Sequence, residues 1–209
     1  MLTTPRLIVI ALCAALDFCL GTIVYLIKLP IYLDSIGTIL CALLIFPDRW
    51  SAFVCALLVG LVGTLFTGLL VNPFLPWFSL TVMAIALVSA FLTASGAETF
   101  RARPMRTAGF AWRVVLYGVV TGLVCAVMSA PVVAYLFGGV TGSGSAFIVA
   151  LFLKAGKQVL NAALLSGLAA EPFDKTLQVL FAALLYRATP QDFIAMLRVT
   201  ETAARAQSR

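Results

Sequence analysis

Two polar stretches with the same internal spacing interrupt the apolar second half of the chain. In each, polar residues stand at offsets of zero, three, four and seven, which at about 100° per residue place four side chains on one helix face. Such faces within an apolar protein indicate either a solute pocket or polar contacts that only hold two helices together. The residues are Lys154, Lys157, Gln158 and Asn161 in the first stretch, and Glu171, Asp174, Lys175 and Gln178 in the second.

The charges of these stretches favour an anionic or electron-rich ligand. Together they hold three lysines and two acidic residues, so a pocket between them would have a positive balance. We expect Lys175, with Lys154 or Lys157, to face a carboxylate or phosphate of the solute, because a desolvated lysine needs an acidic partner. The amide side chains of both stretches would add directional hydrogen bonds.

Other polar and aromatic positions are candidates for the same pocket. The link 28–34 contains Lys28, Tyr32 and Asp34. It is either a lid over an outward-facing pocket, or a connection in which Lys28 snorkels to the interface and a polar residue caps the next helix. Trp77 lies near a span end, where it would anchor in the membrane interface or stack on a ligand. Asp17 is alone within the first apolar span and would counter a lysine, face the pocket or lie near an interface.

Motifs for catalysis, metal binding or nucleotide binding are absent from the sequence. It contains no histidine, and its five cysteines lack CxxC spacing. The Gly156-Lys157 dipeptide lacks the upstream glycine and the hydroxyl residue of a phosphate loop. We therefore expect a protein that is not an enzyme and that has no cofactor and no metal site.

The composition excludes an ordinary soluble domain. Of the 209 residues, 63% are hydrophobic and 11% are charged, whereas soluble domains carry about 25% charged residues. A transmembrane helix needs about 20 mostly apolar residues, so the chain has room for six with short links. We predict an all-α integral membrane protein with a single membrane domain. The predicted spans are approximately 7–27, 33–46, 50–71, 74–94, 114–137 and 173–187.

The arginines indicate how the predicted spans are oriented. All ten stand in tails or short links, and an excess of arginine marks the cytoplasmic side of a membrane. Six crossings place these segments inside, together with both termini and the tail 188–209. A seventh crossing at 146–168 would put the tail outside, so we predict that this segment enters and leaves on the outer side or packs as broken helices. The net charge of +6 therefore needs no nucleic-acid partner.

Several features, taken in order along the chain, resemble one family of membrane proteins. They are the pair Ala11 and Ala15, the stretch 29–38 leading into a short span that ends at Pro47, the glycine-rich link 138–144, and Phe173-Asp174-Lys175. Small residues four apart, such as the alanine pair, allow a second helix to approach closely. From residue 7 to about residue 187 the chain resembles the substrate-binding S components of energy-coupling factor (ECF) vitamin transporters.

The resemblance implies a six-helix protein of the bacterial cell membrane that captures a vitamin or related micronutrient from outside. It implies that the link 28–34 closes over the ligand and that helices four to six line the pocket, with Asp174 and Lys175 in the polar first turn of helix six. It also implies that Ala11 and Ala15 contact a transmembrane coupling protein, while two cytoplasmic ATPases supply the energy.

The alternative is a self-sufficient secondary transporter for a small organic solute. Such transporters usually contain internal repeats with broken helices at matching positions. No convincing repeat is present in the sequence, and 209 residues is short for that class. The importer subunit is therefore the favoured prediction, with the vitamin left unidentified because S components with different ligands share little sequence.

Overall fold

The computed structural model describes residues 2–198, and this part of the chain contains helices and no β-strand. The prediction of an all-α protein is confirmed. Helices satisfy every backbone group within the segment, which an apolar environment requires. The α-helices are α1 (Thr4–Leu26), α2 (Ile36–Ile45), α3 (Arg49–Leu70), α4 (Ser79–Phe91), α5 (Ala97–Ala102), α6 (Ala108–Pro131), α7 (Ser145–Lys154), α8 (Val159–Ala188) and α9 (191–198).

Four segments within residues 2–198 are long and apolar enough to cross a membrane, namely Thr4–Leu26, Arg49–Leu70, Leu75–Ala102 and Ala108–Leu136. The predicted span 33–46 is a helix of only 10 residues, α2. That length is about 15 Å, against roughly 30 Å for a hydrocarbon core. The predicted span 173–187 is the second half of α8, a helix of 30 residues that continues through Pro172. The helices thus differ from the predicted spans mainly in the second and last.

The segment 146–168 forms two helices rather than one. α7 ends at Lys154, and Gly156 has a φ of +81°, a left-handed conformation that glycine adopts without a steric penalty. The chain turns there, and α8 begins at Val159. Broken helices were one of the alternatives left open by the arginines, but the single helical face assumed for the first polar stretch is wrong.

Contacts between distant parts of the chain distinguish two ends of the bundle. At one end, Arg6 of α1 donates from Nε and Nη2 to the carbonyl oxygen of Leu197 in α9, at 3.3 and 3.2 Å. Both ends of the described chain therefore meet there. We call this the arginine end, after Arg6, Arg101 and Arg187. The opposite end carries the links 27–35 and 138–144, and we call it the loop end.

α6 and α8 pack closely at two glycines of α6. A methyl group placed on Gly122 would lie 2.5 Å from the Cα and N atoms of Pro172, and one placed on Gly118 would overlap the backbone of Thr176. Small residues spaced by four permit such an approach between membrane helices. This contact holds the middle of α8, from Glu171 onward, against the interior of the bundle.

Candidate functional site

A cavity of about 100 Å³ lies inside the loop end of the bundle. Its wall is formed by α1, α2, α3, α8, the start of α4, the end of α6 and the two links. A space of this size holds several water molecules or a small organic group. Hydroxyl groups form much of the polar wall, from Thr64, Thr67, Thr81, Ser129, Thr141 and Ser143.

Asp174 of α8 holds the link between α1 and α2 in place. Its Oδ1 atom accepts hydrogen bonds from the backbone N–H groups of Tyr32 and Leu33, at 3.0 and 3.1 Å. Its Oδ2 atom accepts from Lys175 Nζ at 2.8 Å and from Gln178 Nε2 at 2.7 Å. Asp174 is completely buried, and these four donors compensate for the desolvation of its charge. This carboxylate is therefore fully occupied by structural contacts.

The same link contains two residues in the left-handed region, Lys28 with a φ of 55° and Leu33 with a φ of 50°. Residues other than glycine adopt this conformation at an energetic cost, where surrounding contacts impose it. The contact for Leu33 is its hydrogen bond to Asp174. Lys28 Nζ donates to the carbonyl oxygen of Gly142 at 2.7 Å and lies 3.8 Å from the ring centroid of Tyr25. Contacts with Asp174, Gly142 and Tyr25 thus fix the conformation of the link.

A series of hydroxyl groups joins the two links. Tyr32 Oη lies 2.6 Å from Ser145 Oγ, which lies 2.9 Å from Ser143 Oγ. Ser143 Oγ lies 2.8 Å from Thr141 Oγ1. Desolvation, together with the nearby carboxylate of Glu171, raises the pKa of the Tyr32 phenol, so the phenol stays protonated. Tyr32 is therefore a neutral hydrogen-bonding group at the edge of the cavity.

In the described part of the chain, Lys175 is the one ammonium group that lines the cavity, and three carboxylates surround it. Its Nζ atom lies 2.8 Å from Asp174 Oδ2, 3.4 Å from Asp34 Oδ1 and 3.7 Å from Glu171 Oε2. Buried ion pairs are stable only where close geometry and further hydrogen bonds offset desolvation. Since Asp174 forms the closest pair, Asp34 and Glu171 are neutralised less completely.

Asp17 of α1 caps the neighbouring helix α2. Its Oδ1 atom accepts from the N–H group of Gly37 at 2.6 Å, and its Oδ2 atom accepts from the N–H group and the hydroxyl group of Thr38, at 3.0 and 2.9 Å. The first N–H groups of a helix lack partners within it and favour a negative charge. Asp17 also lines the cavity. Of the interpretations considered from the sequence, the structure thus places it at the pocket, bonded to amides rather than to a lysine.

Two buried polar atoms at the cavity have no hydrogen-bond partner, Glu171 Oε2 and Thr81 Oγ1. Glu171 is 6% exposed and Thr81 is 8% exposed. An unpaired buried polar atom costs about 1–3 kcal/mol, and folded proteins contain few of them. Both residues belong to the wall of the cavity.

The second polar stretch lies at this cavity. Glu171 and Lys175 line it, as do Tyr32 and Asp34 from the link. Asp174 and Gln178 lie behind the wall; Gln178 Oε1 accepts a hydrogen bond from the N–H group of Ser35 at 3.1 Å. The helical spacing of the stretch therefore predicted correctly which side chains of α8 share a face.

The first polar stretch does not reach the cavity. All four of its residues are exposed and outside the wall, because α7 ends at the first of them and the chain turns before α8. The predicted convergence of two lysine-bearing stretches, and the positive charge balance derived from it, are therefore wrong. Trp77 also lies outside the wall and is 60% exposed. The residues of the first stretch are Lys154, Lys157, Gln158 and Asn161.

Several polar residues of the wall were not singled out from the sequence. Thr38, Thr67, Thr81 and Asn72 are buried and line the cavity. Isolated hydroxyl residues are common in apolar helices, since they can bond to their own backbone, as Thr67 Oγ1 does with the carbonyl oxygen of Gly63 at 2.9 Å. Their shared position becomes visible only when the helices are assembled.

Ala11 and Ala15 are both exposed on the outer face of α1. Leu12 beside them is 64% exposed, so this face is apolar and presents small side chains to its surroundings. Such a face allows close approach of another helix. The geometry is compatible with the predicted partner contact, which stays a prediction.

Comparisons with protein-family models, curated proteins and solved structures gave no match for this chain. The resemblance to ECF S components therefore rests on the motifs and their order.

Proposed function

We propose that this protein binds a small polar solute, a vitamin or related micronutrient, and serves as the S component of an ATP-driven ECF importer in a bacterial cell membrane. The observation that carries this proposal is the polar cavity inside the loop end of an apolar bundle. Its wall contains buried polar atoms that lack partners, which a solute would satisfy.

The proposed topology has six crossings with both termini in the cytoplasm. The second crossing would be the segment 33–46, which contains α2, and the sixth would be α8. α7 and the link 138–144 would enter and leave on the outer side. The contact between Arg6 and Leu197 supports an even number of crossings, because it brings both ends of the described chain to one end of the bundle. The arginine end would then face the cytoplasm, in keeping with the positive-inside rule.

In this proposal the solute arrives from outside and the links 27–35 and 138–144 close above it. The protein itself binds, while a coupling protein and two ATPases release the solute inward. Ala11 and Ala15 would contact the coupling protein, since their small side chains leave the backbone of α1 accessible. Membrane lipid would surround the remaining outer faces of the bundle.

The test separates partner contact from solute binding by replacing both alanines with tryptophan (A11W and A15W together). We expect the variant to lose its coupling protein and ATPases and to stop uptake, because two indole rings block close helix approach. Bound solute should remain, since the alanines lie outside the cavity. Val127→Trp, on an exposed face of α6, adds the same bulk elsewhere and should change neither property.

Partners are quantified by mass spectrometry after purification from native membranes, with ATPases recognised by their phosphate-loop peptides. Unchanged ATPase recovery and uptake in the double variant would show that α1 is not the partner surface. Ion-driven accumulation of solute in liposomes by the purified chain alone would instead support the secondary transporter and overturn the proposal.

A further inference from the structure

We infer that the cavity recognises a cationic group, such as a protonated amine, on its solute. This inference rests on the proposed solute-binding function and adds the chemical class of the ligand. It reverses the anionic preference expected from the sequence, because the lysines of the first polar stretch are exposed elsewhere.

Half of the chain's acidic residues gather at the cavity. Asp17, Asp34 and Glu171 line it and Asp174 lies directly behind, which makes four of the eight acidic residues in the sequence. Lys175 is the one lysine of the described chain in the wall. The exposed ammonium group of Lys28 near the rim is already bonded to a carbonyl oxygen. The wall therefore holds more carboxyl groups than ammonium groups.

Two of these carboxylates already accept several hydrogen bonds from other parts of the protein. Asp17 accepts three hydrogen bonds from α2, and Asp174 accepts four from the link and from α8. Asp34 Oδ1 accepts one hydrogen bond from Ser35 Oγ at 3.0 Å, and Asp34 and Glu171 otherwise share Lys175, whose Nζ atom lies 3.4 and 3.7 Å away. Lys175 is drawn to Asp174 at 2.8 Å, so one ammonium group does not neutralise all three.

The unpartnered atoms provide an independent indication of the same chemistry. Glu171 Oε2 has no hydrogen-bond donor although the residue is 6% exposed, and an ionised carboxylate can only accept. Thr81 Oγ1 also lacks a hydrogen-bond partner, and because a hydroxyl group both accepts and donates, it suits an ammonium group and a neutral polar group alike. An organic ammonium group supplies donors and positive charge together, whereas a ligand carboxylate would place a further negative charge beside Asp34 and Glu171.

The donor set favours an organic cation over a metal ion. Within residues 2–198, no three His, Cys, Asp or Glu side chains are arranged to hold a metal ion. The rest of the wall offers neutral hydroxyl groups, which suit an uncharged polar remainder of the solute. A positively charged head with a neutral polar body is therefore the ligand that fits.

The experiment compares three small probes of similar length on the full chain in nanodiscs: 3-aminopropan-1-ol as the cation, propane-1,3-diol as the neutral analogue and 3-hydroxypropanoate as the anion. Ligand-observed NMR at neutral pH gives each affinity. The amine should bind at least about tenfold more tightly than either analogue, as expected for a charge-assisted hydrogen bond. The solute released from the purified protein is identified in parallel by mass spectrometry.

Two isosteric variants locate the recognition. Glu171→Gln and Asp34→Asn should each reduce the preference for the amine about tenfold. Glu98→Gln removes the same charge from an exposed position on α5 at the arginine end and should leave the preference unchanged. A thermal unfolding scan of each variant confirms that the fold is retained before affinities are compared.

The outcomes distinguish this inference from the proposed function. Equal binding of the three probes, or tighter binding of the anion, would overturn cation recognition while solute binding stands. If no probe binds, a cationic released solute supports the inference and a neutral or anionic one contradicts it. If no probe binds and no solute is released, both the inference and the proposed function fail.

Discussion

The arginine end and the loop end use charged side chains in opposite ways. At the arginine end, guanidinium groups donate to backbone carbonyl oxygens: Arg101 binds those of Tyr186 and Thr189, at 3.2 and 2.7 Å, and Arg187 binds that of Phe100 at 3.0 Å. At the loop end, carboxylates converge on one ammonium group beside the cavity. Glu171 Oε2 and Thr81 Oγ1 of its wall lack a hydrogen-bond partner, as Arg198 Nε does at the arginine end.

The two ends separate polar contacts that hold helices together from polar groups that line a cavity. Carbonyl groups at helix ends need donors, and arginine supplies several in a fixed geometry. Those contacts satisfy the fold itself. Buried polar atoms without a hydrogen-bond partner occur in both regions, so the loop end differs by the cavity that its polar groups line, and we place the solute there.

The largest effect is expected from Asp174→Ala, which removes the acceptor of four hydrogen bonds at the loop end. Loss of one partner from a buried ion pair costs about 3–5 kcal/mol, so the free energy of unfolding should fall by that amount and solute binding should be lost. Denaturant unfolding in detergent measures the first and calorimetry the second. Glu98→Ala, at an exposed site, is the control; equal losses in both variants would contradict the special role of Asp174.

The next effect tests the α6–α8 contact that supports the cavity. Gly122→Val would force atoms into the backbone of Pro172 and should lower the free energy of unfolding by about 3 kcal/mol, with weaker solute binding because Glu171 moves. Val127→Leu adds bulk on an exposed face of the same helix and should be neutral. A Gly122→Val protein as stable as the wild type would show that the helices are not packed as described.

A smaller effect is expected at the arginine end. Arg101→Met removes the donors to Tyr186 and Thr189 and should lower the free energy of unfolding by about 1.5 kcal/mol. Solute affinity should not change, since the cavity lies at the other end. Denaturant unfolding measures the free energy of unfolding, and calorimetry measures the solute affinity. If Arg101→Met lowers both, the two ends are not independent.

The smallest effect distinguishes two unpaired hydroxyl groups on α4. Thr81→Val and Ser89→Ala each remove a buried hydroxyl group without a partner, so neither should destabilise the fold by more than about 0.5 kcal/mol. Only Thr81 lines the cavity, so only Thr81→Val should weaken solute binding, by about fivefold. Equal affinities in the two variants would remove Thr81 from the site.

The sequence predicted the helical class and one side of the cavity. The apolar composition was sufficient for helices of membrane-spanning length, and the spacing of Glu171, Asp174, Lys175 and Gln178 placed them on one face because α8 is continuous there. The same spacing failed for the first polar stretch because Gly156 lies within it in a left-handed conformation. Periodicity predicts a shared face only where the helix is unbroken.

Other parts of the site depend on contacts distant in sequence. Asp17 caps α2 from α1, and Asp174 bonds to the link more than a hundred residues earlier, which no local pattern encodes. One usable signal was present: Gly118 and Gly122 are spaced by four in an apolar helix, and they pack against α8. The charged groups of the cavity could be assigned only once the structure showed that, among the lysines, Lys175 lines it.

The most direct test of solute binding at the loop end is mass spectrometry of the small molecules released from the purified protein. Wild type and Glu98→Gln should release the same solute in about equal amounts, because that carboxylate is exposed on α5 at the arginine end. The double variant with Asp34→Asn and Glu171→Gln should release little or none, since both carboxylates line the cavity. The account is contradicted if the double variant releases as much solute as the wild type, or if the wild type releases none.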